Sequence, residues 1–134
     1  MRIALDSNVF VSAVVFGSEA LGQLLAYVSE RHTLVLSSYV IDELARVVRT
    51  KFPGKVAAMD SILFNLSYES EYTPQRLPVH DLFKIRDPKD EKVLYSAITA
   101  DCDILITGDK DFRDIDIDRP EIMTPAAFIA EYMA

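Results

Sequence analysis

Residues 87–112 read DPKDEKVLYSAITADCDILITGDKDF, and the order of signals within them decides the fold. Asp87 followed by Pro88 opens a helix, because proline is tolerated at the first helical position and aspartate caps the turn before it. Val93, Leu94, Ala97, Ile98 and Ala100 then recur at helical spacing, which predicts a helix to about Ala100. Ile104, Leu105, Ile106 and Thr107 form an uninterrupted run, the signature of a strand buried on both faces, and it stops at Gly108-Asp109. Moving outward, the N-terminus repeats the pattern. Ile3-Ala4-Leu5 is a short apolar run ending at Asp6, and Ser7 or Asn8 is placed to cap a helix opening at Val9.

Between these two units, a break at Gly17-Ser18 precedes Ala20, Leu21, Leu24, Leu25 and Val28 at helical spacing, and Leu34-Val35-Leu36 follows as a second strand. Ser37 or Ser38 caps a helix over residues 39–49. Pro53-Gly54 punctuates the chain before a helix over residues 56–66 with Met59, Ile62, Leu63 and Leu66 inward. A third strand is expected near Tyr72, ahead of a loop holding Pro74 and Pro78, since proline is poorly tolerated in central strands. At the far end, residues 121–123 form a short strand leading through Pro125 to a final helix over residues 126–133. Strands alternating with helices predict a single α/β domain over residues 1–134, an open and mostly parallel sheet covered on both faces.

Composition narrows the function. The chain has 134 residues, half of them hydrophobic, and its 14 Lys and Arg against 21 Asp and Glu give a net charge of −7. Such a protein does not coat nucleic acid by bulk charge, so any nucleic-acid contact is local. The single Cys102 excludes an internal disulfide and a cysteine-rich zinc site, and the N-terminus carries no charged-then-apolar signal pattern, so a cytoplasmic setting is expected. No apolar run approaches the roughly 20 residues needed to span a bilayer, so no membrane partner is expected.

Four acids stand out. Asp6 and Asp109 each follow an apolar strand at the carboxyl end, where open α/β sheets bind ligands. Each alone could be an ordinary turn residue. On the helix opening at Asp87, Asp90 projects near the centre of the apolar arc, a costly place for a carboxylate, although an acid in the first turn also complements the helix dipole. On the helix over residues 39–49, Glu43 falls beside the apolar edge while Asp42 and Arg46 point away. Carboxylates converging without matched Arg or Lys repel one another unless cations neutralise them, and an all-oxygen donor set selects a hard ion such as Mg²⁺ or Mn²⁺. Hydrolysis of a phosphodiester is the chemistry such an ion supports.

The stretches LDSNVF, VIDEL and residues 87–112 together resemble the PIN-domain nucleases, and most closely their small VapC-type toxin branch. The resemblance spans nearly the whole chain. It implies a PIN-like domain with a five-stranded parallel sheet between helices, and a metal-dependent endoribonuclease acting on RNA and neutralised by an antitoxin. It further implies an acidic quartet of Asp6, Glu43, Asp90 and Asp109 holding Mg²⁺ or Mn²⁺, with Asp111 as an outer ligand or water holder. Ser7 stands where the family often has threonine, and Asn8 and Thr107 match its supporting polar positions. Members of the branch commonly form homodimers and meet the antitoxin through the early helices, here residues 9–30 and 39–66.

Other residues carry less. His32 and His80 have no partner at metal-binding spacing, and nothing near Cys102 would activate a thiolate. Arg46, Lys84, Arg86, Arg113 and their basic neighbours are surface charges by default, with Lys110 best placed to hold an RNA phosphate. Asp114, Asp116 and Asp118 alternate with Ile115 and Ile117 but lack the glycine and distal glutamate of a calcium loop. An aspartyl-phosphate phosphatase also places an aspartate after its first strand, yet it needs a second one where Asn8 stands. A catalytically silent RNA- or protein-binding module on the same fold is the other alternative, and loss of one of the four acids would mark it.

Overall fold

The computed structural model describes residues 1–78, 85 and 87–133. In chain order the elements are β1 (Arg2–Leu5), α1 (Ser7–Val15), α2 (Glu19–Arg31), β2 (Thr33–Ser37), α3 (Ser38–Lys51) and α4 (Val56–Asn65). They continue with β3 (Glu69–Glu71), α5 (Pro88–Thr99), β4 (Ile104–Ile106), β5 (Glu121–Met123) and α6 (Pro125–Phe128). The strands make one sheet in the order β3-β2-β1-β4-β5 with every pairing parallel, so the expected mostly parallel sheet is parallel throughout. Among the described residues no helix is long and apolar enough to cross a membrane.

The central strands follow from their composition. Ile3, Leu5, Ile104, Leu105 and Ile106 are all at most 1% exposed, which requires helices on both faces of β1 and β4. The register aligns Leu5 with Ile106, so the two strands end side by side. Since β2 and β3 extend the sheet on one side of β1 and β4 and β5 on the other, the chain reverses its direction of growth between β1 and β4. Crevices form at such switch points.

Several expectations are corrected in detail. Asp6, rather than Ser7 or Asn8, caps α1, its carboxylate accepting from the Ser7 N–H. Gly17, at φ 59°, follows the last turn of α1 in the left-handed conformation that ends helices cheaply only for glycine. The third strand lies at Glu69–Glu71 and leaves Tyr72 outside it and exposed. It is an edge strand joined to β2 by backbone pairing, so it needs no apolar side chains and gives no hydrophobic signal. In α4 only Met59 is fully buried, while Ile62, Leu63 and Leu66 are half-buried. Ile98, expected inward on α5, is exposed, and Ser96 is buried instead because its hydroxyl pairs with Thr73 Oγ1 at 2.6 Å. The final helix is α-helical only to Phe128 and widens to a π-turn over Ile129–Met133. His80, Lys84 and Arg86 lie outside the described residues.

Candidate active site

The candidate site is assembled from the ends of β1 and β4 and the first turn of α5. Asp6 sits where β1 gives way to α1, its N–H donating to the Ile106 carbonyl at 3.0 Å. One carboxylate oxygen accepts from the Ser7 N–H at 2.7 Å and the other from the Thr107 hydroxyl at 2.8 Å. Thr107 Oγ1 also accepts from the Asp109 N–H at 3.0 Å, so one threonine ties the two strand ends together. Asp109 caps the short 3-10 turn Lys110–Phe112, accepting from the Asp111 N–H at 2.9 Å. Asn8 supports the same edge by accepting from the Gly108 N–H at 3.4 Å.

Asp90 enters from α5. It is 6% exposed, as its helical phase predicted, and its Oδ2 is buried with no hydrogen-bond partner among the described residues. Asp6, Asp90 and Asp109 each offer an oxygen within 4.8 Å of the others. No basic side chain forms an ion pair with any of the three among the described residues. Burial first, then the Asp109 carboxylate beside it, push Asp90 up to about 8. Burial also raises Asp6, against the opposing bonds from Thr107 and Ser7, and the Glu43 and Asp109 charges add to the rise.

Glu43 stands outside this trio, one hydroxyl away. Its Oε1 accepts from the Ser7 Oγ–H, whose neighbour is Asp6, and its Oε2 accepts from the Tyr39 hydroxyl at 2.8 Å. Asp42 is exposed, as expected, whereas Arg46, exposed but expected to point away, brings its guanidinium to 4.0 Å from Glu43 Oε2. Asp111 joins Asp109 through its backbone, and its carboxylate is not one of the three that converge. Sequence reading passed over Tyr39, although its i,i+4 spacing from Glu43 was available as a signal. Lys92 of α5 lies over the Tyr39 ring, 5.5 Å from its centroid, joining α3 to α5 beside the site.

The discounted groups stay apart. Cys102 is buried, and burial pushes its thiol up to about 11, the opposite of activation. His32 caps the end of α2 and meets the N-terminal amine at 3.2 Å. Asp114, Asp116 and Asp118 are exposed.

A family model described as PIN domain matches residues 2–111. No match is found among curated proteins. Among solved structures, the crystal structure of VapBC2 from Rickettsia felis bound to a DNA fragment from their promoter is similar with a TM-score of 0.68 at 19% identity. The match covers 92% of this chain and 98% of that one, and at this identity it is a likeness of fold.

Proposed function

The chain belongs to the PIN domain family, and from that premise we propose that it is a metal-dependent endoribonuclease, the toxin of a toxin–antitoxin pair. The observation that carries this reading is the convergence of Asp6, Asp90 and Asp109, with an unpartnered buried oxygen on Asp90. An unsatisfied buried carboxylate oxygen among like charges costs folding free energy, which a bound cation would offset.

The donor set fits a hard divalent ion. With ligand distances of about 2.1 Å, octahedral oxygens lie roughly 3 Å apart in cis and 4.2 Å in trans. A cluster within 4.8 Å therefore needs only slight closure, or a water in place of one direct bond. Asp6, Asp90 and Asp109 would hold Mg²⁺ or Mn²⁺, with Glu43 completing the acidic quartet and Asp111 beside it as an outer ligand or water holder. Such an ion supplies Lewis acidity to a phosphodiester and activates water.

The remaining groups orient. Thr107 and the Ser7 N–H fix the Asp6 carboxylate, leaving little freedom to lose when a ligand arrives. Tyr39 and Ser7 hold both oxygens of Glu43. Lys110, exposed at the rim, is placed to meet an RNA phosphate. Asn8 accepts a backbone N–H and is no second acid, which disfavours the phosphatase alternative.

A protein antitoxin would meet the early helices, where α2 and α4 border a groove lined by Leu25, Ile62 and Leu66. The similar structure is VapBC2 bound to a DNA fragment from their promoter. A homodimer and a cytoplasmic setting complete the reading.

The test is cleavage of single-stranded RNA. Activity is expected with Mg²⁺ or Mn²⁺ and none in chelator, because the ion would supply both the Lewis acidity and the activated water. Products should carry 5′-phosphate and 3′-hydroxyl ends. Unchanged cleavage in chelator, or cyclic phosphate ends, would overturn the reading.

A further inference from the structure

A cavity of about 450 Å³ opens beside the acid cluster, and it shares Thr107 and Asp109 with it. The segment between β4 and β5 forms one wall and β5 the other. Its volume lies within the range of small-ligand sites, roughly 300–1,000 Å³. Half-buried Ile115, Ile117 and Ile122 give it an apolar patch within a lining that is otherwise polar and charged. Lys110 and Arg113 also line it, both are exposed, and neither forms an ion pair among the described residues.

A slot with an isoleucine patch and cations that form no ion pair among the described residues, next to a carboxylate cluster, matches a ligand that is flat at one end and anionic at the other. We propose that this cavity is a nucleotide subsite, taking the base of the residue next to the scissile phosphate while Lys110 and Arg113 hold that residue's phosphate. The proposal rests on the nuclease reading and deepens it.

The lining gives the subsite a direction. Thr107 donates its N–H to Met123, so Asp109 lies at the carboxyl end of β5, near Thr124. Glu121 begins β5, and three strand residues separate the two ends by about 10 Å, the scale of one nucleotide. Asp118 and Glu121 line the cavity and are exposed. They would repel a phosphate at that end and accept hydrogen bonds from base amino groups. Lys110 follows Asp109 directly and supplies a cation at the other end, so the phosphate points to that end and the base away from it.

Adenosine 5′-monophosphate is titrated into isotope-labelled protein in Mg²⁺, with inorganic phosphate as the control and shifts read at the isoleucine methyls. Shifts are expected at Ile115, Ile117 and Ile122, with phosphate alone at least about tenfold weaker, since burial of the base against the isoleucines supplies the difference. Ile117→Trp should fill the slot and abolish them. Arg113→Glu, on the exposed rim and so without consequence for folding, should weaken binding several-fold even if the tryptophan variant does not fold. Equal affinity for phosphate alone, shifts confined to other surfaces, or no shifts would overturn the proposal. The same preparation is assayed on RNA in Mn²⁺. Cleavage without cavity shifts discards the subsite and keeps the nuclease, while cavity shifts without cleavage do the reverse.

Discussion

The two ends of the parallel sheet are both acidic, but only one is neutralised. At the amino ends of the strands, Asp103 accepts from the Arg2 N–H at 2.8 Å and pairs with Arg119 at 2.9 Å, while Arg2 reaches Glu69 at 2.6 Å. Arg119 also bridges to Asp101. At the carboxyl ends, Asp6, Asp90 and Asp109 face one another with no such partner among the described residues. The Arg2 N–H and then Arg119 hold Asp103 below the usual carboxylate range, whereas Asp90 is pushed up to about 8. Acids paired with cations stay ionised, and acids packed together without them are pushed toward the protonated form.

Substitution at each end should produce the sharpest contrast. Asp109→Asn is expected to lower RNA cleavage by more than about 100-fold, beyond the losses typical of groups behind a metal ligand, with the fold intact by circular dichroism. Asp103→Asn should leave cleavage unchanged and lower Tm by up to roughly 4 °C, since exposed pairs contribute little. Comparable activity losses at both ends would erase the distinction.

The pH dependence of stability should have opposite sign at the two ends. Asp90 has an ordinary value of 3.8 and titrates near 8 in the folded chain, so between those values the native state binds a proton that the unfolded state has lost. In chelator, stability should therefore fall as pH rises from about 4 toward 8, and Asp90→Asn should flatten that slope. Asp103 is depressed, so its contribution is present above its ordinary value of 3.8 and is lost as pH falls below it. Urea melts across pH, with each variant, would measure both. A slope near neutral pH unaffected by Asp90→Asn would break the comparison.

The smallest expected effect lies within α3. Asp42→Asn, on its exposed side, should be nearly neutral for activity, while Glu43→Gln should impair it. An essential Asp42 and a dispensable Glu43 would invert the assignment.

Much of this was legible in the sequence because it was local. Apolar runs ending in acids located β1 and β4, and helical phase alone put Asp90 on the buried side. β3 was displaced because an edge strand is held by backbone pairing, and Glu69–Glu71 offers no apolar pattern to read. The fit of Ser96 into the core depended on Thr73, 23 residues away, whose hydroxyl no periodicity could foresee. The quartet was read as one group, but packing leaves Glu43 a hydroxyl's width from the trio. The cations of the opposite end were equally invisible, since the Arg2 guanidinium meets Glu69 across 67 residues.

Thermal melts in chelator and in Mn²⁺ for the wild type, Asp90→Asn and Asp103→Asn test the central claim most directly. A site-bound ion stabilises by RT ln(1 + [L]/Kd), about 2.7 kcal/mol at a hundred times Kd. In chelator near neutral pH, Asp90→Asn should match or exceed the wild type, because it removes the cost of protonating a carboxyl to bury it. Mn²⁺ should raise Tm equally in the wild type and Asp103→Asn, and less in Asp90→Asn. The same shift in all three proteins would contradict the account.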